Sequence, residues 1–355
     1  MSLLLRIAVA VTAVFVAMPA LAACSSTDAT EPTAADGTAG ATANTVRLGY
    51  FPNFTHAPAL IGVQNGIFEE KLGDVTLETT TFNAGGEAIE AMFAGAIDAT
   101  FIGPSPTINA YAQSHGQAVR VVSGAAANGA FLVVREGIDS PADLVDTTLA
   151  TPQLGNTQDV ALRYWLQEQG YETTEEGGGD VAITPMSNGE TLGAFASGAI
   201  DGGWLPEPWA TRLVTEAGAH VLVDETEIWP EGQFVTTQLI VSTEFLAENP
   251  ALVEALIAGE LEALALIESA SEDAQAVVNT AIEELTGDAM DPALLSAAWE
   301  NVTFTVDPVA DSLVEGAAHA QAVGLLDPVE LDGLYDLDLL NTLLAEAGKE
   351  QVSAG

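Results

Sequence analysis

Four short segments carry most of this chain's capacity for chemistry. They are Tyr50-Phe51-Pro52-Asn53-Phe54-Thr55-His56, Gly103-Pro104-Ser105-Pro106, Gly155-Asn156-Thr157-Gln158 and Trp204-Leu205-Pro206-Glu207-Pro208-Trp209. Each reads as a turn from a strand into a helix, dense in hydrogen-bonding or aromatic groups. The first N–H groups of a helix have no intrahelical partner, and the helix dipole concentrates positive potential there. Such a turn can hold an anion without Lys or Arg. Asn, Ser and Thr at these places are also ordinary helix caps, but four such turns in related halves of one chain point to a ligand pocket. His56 reads either as a donor to an anionic ligand or as a structural imidazole. Of Trp204 and Trp209, one is expected to wall a cleft and the other to fill a core. Glu207 either complements its helix dipole or accepts from a ligand amine. Arg163 is expected on a helix surface or in an ion pair. No Gly-x-Ser-x-Gly, His-Glu-x-x-His, P-loop or dinucleotide fingerprint occurs. The four histidines (His56, His115, His220, His319) lack metal-ligand spacing. The expectation is a binding protein with no catalytic residue, no metal and no cofactor.

The elements that must position these turns come in two copies. Residues 85–106 read GGEAIEAMFAGAIDATFIGPSP, and residues 188–209 read NGETLGAFASGAIDGGWLPEPW. At an offset of 103, positions 86–98 and 189–201 agree at seven of thirteen places: Gly86, Glu87, Ala91, Gly95, Ala96, Ile97 and Asp98. Each copy is an amphipathic helix, a Gly-Ala-Ile-Asp, an apolar strand and a Pro-x-Pro turn. Through 45–241, β-branched runs alternate with helical periodicity, which predicts an α/β fold with parallel sheets and crossover helices. Everything after Glu244 reads helical, and this tail is expected to pack back on the first lobe. The expected organisation is lobe 1 from 45–137 plus 238–355 and lobe 2 from 138–237, with hinge crossings near 136–139 and 233–238.

The chain has 355 residues, 48% of them hydrophobic, enough for two real cores. Eight Lys+Arg face 51 Asp+Glu, a formal net charge of -43. This balance excludes a nucleic-acid binder, which needs a basic face, and argues against charge-driven docking on anionic lipid. It suits either an acidic, halophilic type of protein in a salty medium, where charges are screened within about 3 Å at 1 M, or a binding surface for a basic partner. At the N-terminus, Arg6 precedes an apolar stretch, residues 7–23, of secretory h-region size. It ends Leu21-Ala22-Ala23-Cys24, and Cys24 is the only cysteine. Small residues before a lone Cys resemble a lipobox, which implies a signal peptide over 1–23 and lipidation at Cys24. Residues 24–44, rich in Ser, Thr, Ala and Gly, read as a flexible tether. The protein is then expected outside the cytoplasm, held to the outer face of the cell membrane by lipid alone.

The stretches VRLGYFPNFTHAPAL, FIGPSPTINAY, TPQLGNTQDVALRYWL and GGWLPEPWATRL resemble solute-binding lipoproteins of ABC importers, in the nitrate/sulfonate/taurine branch. The resemblance covers nearly all of 45–350. It implies a two-lobed periplasmic-binding-protein fold (Venus flytrap, type II), each lobe a sheet flanked by helices, acting as a monomer. It also implies a small anionic or zwitterionic ligand trapped between the lobes and delivered to ABC permease subunits. Carried onto this sequence, the pocket involves Asn53, Phe54, His56, Ser105, Asn156, Thr157, Gln158, Trp204 and Glu207. An aliphatic sulfonate or taurine-like solute is the expected ligand, since Glu207 would suit an amine beside an anionic group. Nitrate binding, thiamine-precursor pyrimidine binding and a ligand-sensing surface receptor are the alternatives.

Overall fold

The computed structural model describes residues 43–354. The expected signal peptide over 1–23, Cys24 and most of the expected tether over 24–44 lie outside the described residues. Two sheets form. The first contains β1 (Thr45–Tyr50), β2 (Thr76–Thr81), β3 (Ala99–Ile102), β4 (Val119–Asn128), β10 (Val235–Ser242) and β11 (Val302–Phe304), in the order β11-β4-β10-β3-β1-β2. The second contains β5 (Ala130–Val134), β6 (Thr148–Thr151), β7 (Ala182–Pro185), β8 (Gly202–Pro206) and β9 (His220–Asp224), in the order β7-β6-β8-β5-β9. Each sheet begins with three parallel strands, as the alternating pattern predicts. Neither sheet is purely parallel. β10 runs antiparallel to β3 and β4, and β5 runs antiparallel to β8 and β9. Two of the reversed strands, β10 and β5, arrive from the other lobe, and a third, β11, runs antiparallel to β4 at the edge of the first sheet. A parallel entry would need a crossover of a dozen or more residues, and β4 passes to β5 through Gly129 alone.

That link corrects the expected hinge. The chain leaves the first sheet at Asn128-Gly129, not at 136–139, because Ala130–Val134 already pairs in the second sheet. Asn128 and Gly129 have φ of 63° and 74°, the left-handed turn conformation that Asn-Gly adopts cheaply. A Cβ on Gly129 would also meet Val302 Cγ2 at 2.7 Å. The return crossing, 225–234, lies close to the expected one.

The duplicated phrase builds the same unit twice, as helix Gly85–Phe93 into β3 and helix Asn188–Ser197 into β8. Its aspartate does the same work in each. Asp98 accepts the backbone N–H of Arg47 at 2.8 Å and pairs with the Arg47 guanidinium. Asp201 accepts the backbone N–H of Thr148 at 2.8 Å and pairs with Arg135 at 2.9 Å. In each lobe the Asp thus ties the start of the sheet's central parallel strand to the end of the repeated helix.

The tail departs from expectation in two ways. Val302–Phe304 is a strand that extends the first sheet rather than helix. Helix Pro250–Ser269 does pack on the first lobe, against helix Ala57–Gln64 and the short helix Ile67–Leu72. Helix Ala310–Ala322, however, lies against both Pro104–Gln113 of the first lobe and Thr157–Glu168 of the second. There the His319 ring stacks on Tyr164 at 3.7 Å. No described helix is long and apolar enough to cross a membrane.

Candidate functional site

The carboxyl ends of the parallel strands face one another across a cleft, where ligands of open α/β sheets are held. A cavity of about 40 Å³ lies there. Asn53, His56, Asn156, Thr157 and Gln158 all line it. The first two come from the turn after β1, and the last three open helix Thr157–Glu168. Asn53 and Asn156 stand 103 residues apart, the offset of the repeat, so equivalent turns of the two lobes supply them.

The second-lobe turn is rigid. Asn156 caps the helix by accepting the Asp159 N–H at 2.9 Å, and its Nδ2 donates to Gln158 at 3.3 Å. Asp159 would oppose an anion, but it is fully buried and spoken for. It receives Arg163 at 2.8 Å, the Thr151 hydroxyl at 2.8 Å and the Gly155 N–H at 2.9 Å. Arg163 is therefore in the expected ion pair, though buried rather than on the surface.

His56 is 2% exposed. Burial pulls its imidazole down to about 3, so the ring is neutral across the physiological range. Its Nδ1 faces the Phe51 N–H at 3.4 Å. That contact assigns the proton to Nε2, which makes the ring a neutral donor.

Sequence reasoning did not single out Thr55, Asn83, Asn188 and Thr236, which complete the polar lining. Phe51, Ala84, Pro106, Pro152 and Pro206 supply apolar walls. No Lys, Arg, Asp or Glu lines the cavity. Its potential for an anion comes from amides, hydroxyls, one neutral imidazole and converging helix N-termini, those of Gly85–Phe93, Pro104–Gln113, Thr157–Glu168 and Asn188–Ser197. Among the described residues, no group of His, Cys, Asp and Glu could hold a metal ion.

Four expected site residues lie elsewhere. Phe54 is fully buried and packs edge-on against Trp299 at 5.9 Å. Ser105 is buried and does not line the cavity, although Gly103 and Pro106 of the same turn do. Trp204 fills the second lobe's core, edge-on to Trp165 at 6.1 Å, and donates to Glu225 at 2.6 Å. β8 alternates its side chains, and Trp204 points to the core face. Trp209, not Trp204, is the cleft tryptophan: its Nε1 donates to Asn53 Oδ1 at 2.9 Å.

Glu207 faces away from the cavity. It accepts from the Thr211 hydroxyl and from Asn301 Nδ2, each at 2.7 Å. Burial pushes its carboxyl up to about 7 against those hydrogen bonds. It therefore offers nothing to a ligand amine. Its role is across the cleft, since its backbone carbonyl accepts the Phe54 N–H at 3.1 Å. With the Gly86 N–H donating to Gln153 at 2.9 Å, these bonds link the two lobes across the cleft.

Comparison with known proteins places the chain among binding proteins by sequence and fold. The chain is 28% identical over 221 residues to a protein of Brucella abortus (strain 2308) named as a binding protein, a match covering 60% of this chain and 64% of that one. It is 23% identical over 246 residues to the nitrate/nitrite binding protein NrtA of Nostoc sp., covering 61% of this chain and 52% of that one. The chain thus spans less than two thirds of the length of the curated relatives it matches. Its fold is that of the alkanesulfonate-binding protein SsuA of Xanthomonas axonopodis pv. citri, solved bound to MOPS, with a TM-score of 0.69 and 18% identity over 84% of this chain and 99% of that one. The family model for the NMT1-like family matches residues 39–282, and the chain belongs to that family.

Proposed function

We propose that this protein is the solute-binding component of an ABC importer. It captures a small oxoanion of the alkanesulfonate type between its lobes and presents it to the permease. The observation that carries this reading is the lining of the inner cavity. Neutral donors and helix N-termini from both lobes surround a space far below the roughly 300–1,000 Å³ of drug-sized sites. A sulfonate spreads one charge over three oxygens, which many weak donors can share. Nitrate would share the donors equally well, but it has no use for five apolar wall residues, whereas a sulfonate's carbon does. Relatives and structural neighbours named for binding nitrate and alkanesulfonate support the oxoanion class. The Glu207 argument for an amine does not survive, so the headgroup alone is assigned at this point.

Calorimetric titration of the processed protein tests the reading. Methanesulfonate and ethanesulfonate are expected to bind at least tenfold tighter than nitrate or bicarbonate. Silence toward both sulfonates, or a preference for nitrate, would overturn the assignment. The same reading places the protein outside the cytoplasm, anchored through Cys24, on the strength of the lone cysteine and the small residues before it. Cys24→Ser should release it into the soluble fraction, and retention on membranes would refute the anchor.

A further inference from the structure

We propose that Gln153 is a positioning residue for solute capture. From the second lobe it supplies the cap that helix Gly85–Phe93 of the first lobe lacks, and so fastens the lobes over a solute that it does not itself touch. This rests on the oxoanion reading above and adds to it a residue that acts through lobe closure.

The duplicated unit shows what is missing. In the second lobe, helix Asn188–Ser197 is capped by its own segment. The Ser187 side chain accepts the Glu190 N–H, and the Glu190 carboxylate accepts the Ser187 N–H at 3.1 Å. At the repeat offset of 103, Ser187 corresponds to Ala84 and Glu190 to Glu87. The glutamate is kept, and its carboxylate accepts the Asn83 N–H at 3.3 Å. The serine is not kept, and the methyl of Ala84 cannot cap. The first N–H groups of a helix need partners from outside it. Gln153 provides one from the opposite lobe, where its Oε1 accepts the Gly86 N–H at 2.9 Å.

Gly86 is fitted to this contact. Its φ is not left-handed, so conformation alone does not call for glycine there. Space does, because a Cβ would lie 2.7 Å from Gln153 Oε1 and 3.0 Å from Nε2. Gln153 stands three residues before Asn156, in the turn that follows β6. Neither Gly86 nor Gln153 lines the inner cavity, whereas their chain neighbours Gly85 and Pro152 do. The bond therefore sits just outside the solute's enclosure, and it forms only where the two lobes meet.

A double-mutant cycle on the processed protein tests this, with methanesulfonate as the probe. Gln153→Met keeps the length of the side chain and removes the acceptor. Gly86→Ala keeps the acceptor and pushes it out of reach, and Ala for Gly within a helix should hold or raise the thermal midpoint of the solute-free protein. Loss of one helix cap corresponds to about fivefold in an equilibrium constant. Each single variant is thus expected to bind methanesulfonate about fivefold more weakly by calorimetry. Both remove the same bond, so the double variant should lie within about twofold of either single one. In stopped-flow tryptophan fluorescence the loss should appear as faster dissociation, with association unchanged within about twofold, since the bond forms after the solute has entered. Wild-type affinity in either single variant, losses that multiply in the double variant, or a loss carried by association would each overturn the role of Gln153 and leave the oxoanion reading standing. If methanesulfonate does not bind the wild type, the oxoanion reading fails and this one falls with it.

Discussion

Unfolded in urea at fixed ionic strength, the protein is expected to be more stable at pH 6 than at pH 8.5, by roughly 4 kcal/mol. Three buried carboxyls set the sign. Burial pushes Glu207 and Glu225 up to about 7 and Glu260 up to about 8. Glu260 has the weakest support, since neither carboxylate oxygen makes a geometrically acceptable hydrogen bond and only Ser123 lies near enough to help. A carboxyl raised on folding contributes stability that is whole below its unfolded value, near 4.5. That stability is lost as pH rises through the folded value. Each such group contributes up to about 1.4 kcal/mol per pH unit while it is protonated only in the native state. The histidines act in the opposite sense. His56, pulled down to about 3, and His319, also lowered by burial, favour the native state above their unfolded range and cost stability below it. They titrate in the unfolded chain mostly below pH 7, so they place the optimum in the mildly acidic range without cancelling the loss above it. Equal stability at the two pH values, or greater stability at 8.5, would show that the three carboxyls are ionised in the native protein.

The second large effect concerns Trp204. Trp204→Ala is expected to destabilise the protein by about 4 kcal/mol or more. Truncating a buried large aromatic costs roughly 3–5 kcal/mol, and the Glu225 carboxyl loses a donor at 2.6 Å while staying fully buried. Trp229 still donates to it at 3.1 Å, so the carboxyl is not orphaned and the lobe should still assemble at low temperature. Trp204→Phe keeps most of the packing and should cost about half as much. Because Trp204 lies in the core and not at the cavity, the Phe variant should bind its solute within about threefold of wild type. A loss below 1.5 kcal/mol in the Ala variant, or a collapse of affinity in the Phe variant, would place Trp204 at the site after all.

The contrast between Trp204 and Trp209 shows how far the sequence could be read. The duplicated Gly-Ala-Ile-Asp announced two lobes, and both aspartates tie strand to helix as a duplicated unit requires. Strand-to-helix turns announced the polar half of the cavity, and Asn53, His56 and Asn156 to Gln158 do meet there. Which tryptophan lines the cleft was not legible, because Trp204 lies on β8 and Trp209 opens the next helix, and in a 48% hydrophobic chain either can satisfy a core. Glu207 misled for the same reason. An acid after a Pro at a helix start looks like a ligand group or a dipole partner, and only the fold brings Asn301 from the far tail to occupy it. The hinge was misplaced because Ala118–Gly124 and Ala130–Arg135 read as two successive strands of the same lobe. The Asn128-Gly129 turn between them was the available signal. Asn188 could also have been found, since it stands at the repeat offset from Gly85, at the same cleft-facing helix start. Asn83 and Thr236 carry no such mark, because their places are set by chain reversals that no local pattern encodes.

The central claim is that a small oxoanion is held by neutral groups alone. The measurement that addresses it most directly is the affinity for methanesulfonate by calorimetry from pH 5.5 to 8.5 at constant ionic strength. His56 stays neutral throughout that range and no other titratable side chain lines the inner cavity. The account predicts binding whose dissociation constant changes less than threefold across the series. Absence of binding, or an affinity that falls tenfold or more around pH 6.5 as a histidine loses its charge, would contradict it.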